Sequence, residues 1–202
     1  MLPAALALPL SAALVALGLA GPVFDGCPPA RAEVLTTLDA ALAQVFPGAR
    51  IERRGLALST QDVRAVERRA QARCAERLVT AYVAWHGDTL AGAAYSERRV
   101  VRTREAVLLV SVAPDTTVAR IDVLAFFEPP DYRPPARWLE RFRGRGAGAT
   151  LSPGRDLPAL AGSTLTSAAV AESARLALAW HALLLGPQLE RARAHMDRPE
   201  GP

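Results

Sequence analysis

Lysine is missing altogether: all 24 basic side chains of this 202-residue chain are arginine. The bias reads first as genomic base composition, although arginine does favour bidentate phosphate contacts. Aromatic residues are also few, at 5%. Nucleic-acid binding needs arginines gathered on one face with stacking rings among them, and here the arginines are spread thinly, so that class is set aside. The net charge of +4 adds little by itself. Cysteine is limited to Cys27 and Cys74. Neither lies in a Cys-x-x-Cys-His or paired pattern, which excludes attached haem and iron–sulfur clusters. His86 sits at a turn and His181 on an apolar helix, without partners spaced for a metal, so neither a metal site nor a catalytic histidine is expected. Any redox centre would have to be organic or borrowed.

Charge is absent from one further place. Leu2 to Phe24 is almost continuously apolar, without one acidic or basic side chain. It reads as an export or anchor segment, and residues 1–32 are assigned to it. Ala30-Arg-Ala32 offers the small residues a signal peptidase accepts, so cleavage after Ala32 is one outcome. The run lacks a positive n-region and is long enough to span a bilayer, so a retained membrane anchor is the other. Asp25 makes Cys27 a poor lipid acceptor. Either way the folded part is expected outside the cytoplasm, exported or periplasmic, on the membrane if the leader is uncut. Cleavage would leave Cys74 alone and preclude an intrachain disulfide.

What is present suffices for one domain: half the residues are apolar and 22% charged. Leu35, Leu38, Leu42 and Val45 share helical spacing, which predicts a helix over residues 33–46, stopped by Pro47-Gly48. Ser59 or Thr60 can cap a second helix, predicted from Leu56 to about Leu78, with Val63, Val66, Ala70, Cys74 and Leu78 as its apolar stripe. The period then changes to two. Val79–Trp85 and Thr89–Tyr95 read as a hairpin turning at His86-Gly-Asp88, followed by strands over 106–113 and 117–127. Glu128–Pro135 is a stiff proline-rich loop, and Pro135 opens a short helix with Trp138, Leu139 and Phe142 inward. A final helix is predicted from Ala168 to Leu185, broken by Gly186-Pro187. The order implies α+β, a mainly antiparallel sheet packed with helices, in one domain over 33–190 before a frayed tail, 191–202.

The segment Ala161-Gly-Ser-Thr-Leu-Thr-Ser167 puts one glycine and four hydroxyls at the entrance to that helix. Gly162 allows close backbone approach to an anion. Thr166 and Ser167 can cap or donate, and the helix start supplies free N–H groups and a positive dipole end. The composition suits phosphate, and it equally suits an ordinary helix cap.

At these residues the sequence resembles the FMN-binding domain family, which includes the G subunit of Rnf electron-transport complexes and the C subunit of the sodium-translocating NADH:quinone reductase. Gly162, Thr164, Leu165, Thr166, Ser167 and Val170 match its Ser/Thr-Gly-Ala-Thr-x-Thr-Ser pattern in register. Glu128-Pro-Pro-Asp-Tyr132 is similar to the family's loop near the flavin, and Trp138 to Gly144 looks like its Trp and Phe-x-Gly element. Three positions depart from the pattern: Ala161 replaces Ser or Thr, Ser163 replaces Ala, and Pro158 stands where Asp is expected, with Asp156 two residues away. The resemblance implies covalent FMN, joined by a phosphoester to Thr164 and installed from FAD by a flavin transferase, with Ser163 as a rival acceptor. It implies contacts from Gly162, Ser163, Leu165, Thr166, Ser167, Glu128 and Tyr132; Trp138 and Tyr95 read as ring neighbours or as ordinary core, and Arg102, Arg104 and Glu105, just before a strand, as flavin contacts or as a solvated charged edge. It also implies an electron carrier serving redox partner proteins, within or beside a membrane complex. A flavin-free envelope domain of the same fold and a small flavin-dependent reductase are the alternatives.

Overall fold

The computed structural model describes residues 33–190; the leader and the tail lie outside the described residues. Its centre is a six-stranded sheet in the order β1-β6-β5-β4-β3-β2, every neighbouring pair antiparallel. The strands are β1 (Glu33–Val34), β2 (Arg50–Ala57), β3 (Leu78–His86), β4 (Thr89–Val100), β5 (Glu105–Val112) and β6 (Val118–Phe126). The fold is therefore α+β, as composition and element order imply.

Strand alternation divides the apolar residues between two layers. Val79, Ala81, Val83, Ala93, Tyr95, Leu108, Val110 and Val112 face the larger core, shared with α2 (Thr60–Ala70) and α4 (Thr164–Trp180). Ala84, Ala94, Leu109 and Leu124 point the other way and are covered by Ala41, Leu42 and Phe46 of α1 (Leu38–Val45) or the turn after it. Alanine at the crossing points lets each helix approach the sheet closely.

Four boundaries differ from the spacing-based expectation. Glu33 and Val34 are a strand, pairing with Phe126 and Ala125, and α1 begins only after Thr37, whose hydroxyl accepts from the Ala40 N–H. Leu56 and Ala57 close the edge strand β2, so α2 starts at Thr60 behind a reciprocal Ser59–Asp62 capping box. The same helix stops at Ala70 because Gln71 is left-handed, at φ 48°. Arg175 then donates to the Ala70 carbonyl, Glu67 accepts from the Cys74 N–H, and Leu78 opens β3. Cys74 is buried, though not on a helix.

The last helix differs at both ends. It begins at Thr164, so the hydroxyl-rich segment forms its first turn rather than the approach to it. Gly186-Pro187 does not end it. A π turn over His181–Leu185, in which the Gly186 N–H reaches the His181 carbonyl, accommodates the proline, and helix continues to Glu190. This 27-residue helix is apolar enough to cross a membrane by composition, yet 67% of its most apolar stretch is buried inside the domain.

Candidate functional site

β4, β5 and β6 bring three loops to one end of the sheet. The β4–β5 tip, Val101 to Arg104, is held by Glu128, which leaves the end of β6. One Glu128 oxygen accepts from the N–H groups of Arg102 at 3.2 Å, Thr103 at 2.7 Å and Arg104 at 2.9 Å, and from the Thr103 hydroxyl at 3.3 Å. Burial pushes the Glu128 carboxyl up, and these hydrogen bonds together outweigh it, leaving it below the ordinary carboxylate range. Glu128 thus fixes the loop that carries Arg102.

Pro129 starts a single 3-10 turn, Pro130–Tyr132, which sets Tyr132 beneath the Arg102 guanidinium, 4.7 Å from ring centroid to charge. Among the described residues no carboxylate lies within ion-pair reach of Arg102. Beside it stands the start of α4. Gly162 turns the chain at φ +77°, a left-handed value that disfavours a side chain. Ser163 is the N-cap, but its side chain makes no capping hydrogen bond, and the first turn holds no acidic residue. The N–H groups of that turn therefore keep their positive character for an outside acceptor.

Arg102, Tyr132, Gly162, Ser163, Thr164, Leu165 and Thr166 line one hollow of about 220 Å³. A pocket that encloses a drug-sized ligand takes roughly 300–1,000 Å³, so this one grips part of a ligand and leaves the rest outside. Its two hydroxyl candidates are unlike. Ser163 is only 5% exposed, its oxygen turned to the Asp131 carbonyl at 3.4 Å, whereas Thr164 is exposed at the helix start. The Thr166 hydroxyl is buried without any partner, an uncommon state for a polar group. Leu165, at 53% exposure, presents an apolar side chain at the rim.

The other residues named from the sequence lie elsewhere. Ser167 is fully buried and donates to the Thr164 carbonyl within the helix. Trp138 is core, stacked edge-on to Phe142, its ring N–H donating to the Pro158 carbonyl at 2.8 Å. Asp156 is engaged in its own loop, accepting from the Leu151 and Ser152 N–H groups. Tyr95 is buried against Trp180 and bonds His181 Nδ1 at 3.1 Å. Burial pushes the Tyr95 phenol up and the His181 imidazole down, so both are neutral. Which of the two donates follows from the imidazole tautomer. His181 also borders a larger cleft of about 580 Å³ with Trp85, Leu90 and Pro187, which contains none of the hydroxyl motif.

Sequence reasoning missed a charged group that links β4 to α4. Arg99 of β4 lies 2.9 Å from Glu97 and 3.3 Å from Glu172 of α4. Burial raises Glu97 to about 7 against the opposing pull of the Arg99 charge. Alternation along β4 puts Glu97 and Arg99 on the α4 side, but two charged positions in a row of apolar ones gave no sign of their partner. Among the described residues no three potential ligands gather as a metal site.

No protein-family model matches the chain, and no curated protein or solved structure matches it either. What fold and site define is an α+β domain whose sheet end presents an accessible threonine on an uncapped helix N-terminus, between an arginine and a tyrosine.

Proposed function

We propose that the protein is an extracytoplasmic electron-carrier flavoprotein with FMN joined through its phosphate to Thr164. The observation that carries the reading is the environment of this hydroxyl: exposed, at the first position of a 17-residue helix without a side-chain cap, in a hollow shared with Arg102. These residues fit the phosphodiester that would join Thr164 to the flavin. The open N–H groups of the first turn and the Arg102 guanidinium would hold its oxygens. Tyr132 and Leu165 offer the apolar rim a ring system needs.

Attachment is a phosphoryl transfer. The Thr164 hydroxyl oxygen bonds to the flavin-side phosphorus of FAD, the pyrophosphate P–O bond breaks, AMP leaves, and the hydroxyl proton passes to a base of the flavin transferase. When bound, FMN supplies reversible one- and two-electron chemistry. The chain then holds the phosphate, limits water at the rim through Leu165 and Tyr132, and keeps Arg102 in place through Glu128. The role proposed is carriage of electrons between partner proteins.

Co-expression with a flavin transferase, followed by intact-mass measurement, tests this. The expected result is a gain of one FMN, lost in Thr164→Val and retained in Ser163→Ala. No gain in the unaltered chain overturns the reading in favour of a flavin-free envelope domain. A gain that survives Thr164→Val moves the attachment elsewhere.

A further inference from the structure

Four of the most exposed large apolar residues, Val34 at 71%, Leu78 at 66%, Val100 at 64% and Leu165, occur at the sheet end that carries Thr164. Three of them share one face, the side partly covered by α1. Ala57 pairs with Leu78, Arg98 with Val107, Val107 with Ala125 and Ala125 with Val34. Extending the β3–β4 register from Ala81–Tyr95 sets Leu78 opposite Arg98. One row of side chains thus crosses all six strands, with Val107 against the α1 cluster and Ala125 buried at its centre; Leu78 and Val34 are its exposed flanks, and Val100 stands one step further out, at the β4–β5 tip. Arg77, Arg98, Arg102 and Arg104 are exposed around the strip.

The chain also states what lies nearby. Val34 and Glu33 are pinned to the sheet by β pairing and by the Glu33–Arg133 ion pair at 3.0 Å. Only residues 25–32 separate them from the apolar run ending at Phe24. At roughly 3.3–3.6 Å per extended residue, that link spans less than about 30 Å.

We infer that this strip, Leu78, Val100 and Val34 with the arginines around it, rests on the bilayer that holds the N-terminal run. Apolar side chains enter the interface while arginine stems lie along it with their charges at anionic headgroups. The inference rests on residues 1–32 being retained as an anchor and is independent of the flavin. It places the Thr164 hollow at the membrane-proximal end.

The test uses the full chain carrying Cys27→Ser, reconstituted in vesicles of phosphatidylethanolamine and phosphatidylglycerol. A fluorophore is attached at Val100→Cys or, at the opposite end of the sheet, at Asp88→Cys; the native Cys74 is buried. Flotation reports the anchor, and quenching by nitroxide-bearing lipid reports the face. The expected outcome is several-fold stronger lipid quenching at position 100 than at 88, with the reverse order for iodide in water. A chain that floats but shows equal lipid quenching at both positions overturns the strip and leaves the anchor standing. Shielding of position 100 from iodide without lipid quenching assigns the strip to a second copy or another protein and also overturns it. A chain that does not float overturns both.

Discussion

Glu128 shows how much one carboxylate can organise. Its buried oxygen collects three backbone N–H groups and a hydroxyl from the β4–β5 tip, and no water could replace all four. Glu128→Gln keeps the shape but weakens charge-assisted bonds, and a loss of about 1–3 kcal/mol is expected from urea unfolding near neutral pH. The sign with pH follows from the lowered carboxyl. Its contribution is full above the unfolded value, about 4.3, and is lost as pH falls through the lower folded value. The variant should therefore unfold with a shallower acid slope than the parent. The sequence made Thr164, Gly162 and Leu165 visible through their register, and Tyr132 through its loop. It set Thr164 ahead of Ser163 by register alone; the physical difference between the two hydroxyls is one of burial, with Ser163 turned to the Asp131 carbonyl. Glu128 reads as a neighbour of the site from sequence and in the fold acts one residue back, through Arg102.

Elements were legible where their period was long and clean. The meander β3 to β6 follows its alternation closely, while β2 escaped because only Leu56 along it is buried and its other positions are mostly polar, as suits a sheet edge. Helix ends were less legible, since Gln71 takes a left-handed conformation that sequence assigns to glycine, and a π turn absorbs Pro187. Glycine is required where α1 meets the sheet. Gly92 has φ +146°, and a Cβ there would stand 2.6 Å from the Val112 carbonyl oxygen and 2.7 Å from the Phe46 ring. Gly92→Ala should displace Phe46 and lower stability by about 2–4 kcal/mol, measured as the shift in thermal midpoint with unchanged helix content. A variant as stable as the parent would mean that α1 does not seat on β4 as described.

Across the whole molecule, sheet and long helix are joined by packing and by the Glu97–Arg99–Glu172 group. Glu97 is raised in the fold to about 7, so its neutral form is the one the fold favours. Its contribution is fully present below the unfolded value and is lost as pH rises through about 7. The parent should lose on the order of 1–3 kcal/mol between acidic and mildly alkaline buffer from this source. Glu97→Gln, neutral throughout, should flatten that decline in denaturant midpoints taken across the range. A decline of equal size in the variant would assign it to another group.

The helix that starts at Thr164 runs unbroken for 27 residues, π turn included. At about 1.5 Å per residue its two ends are about 40 Å apart, and the chain leaves the described domain at Glu190, on the far side from the hydroxyl. The molecule consequently has a handle and a working tip. A tether that holds the protein at Glu190 would grip it by the end opposite Thr164 and leave the hollow beside Arg102 and Tyr132 unobstructed.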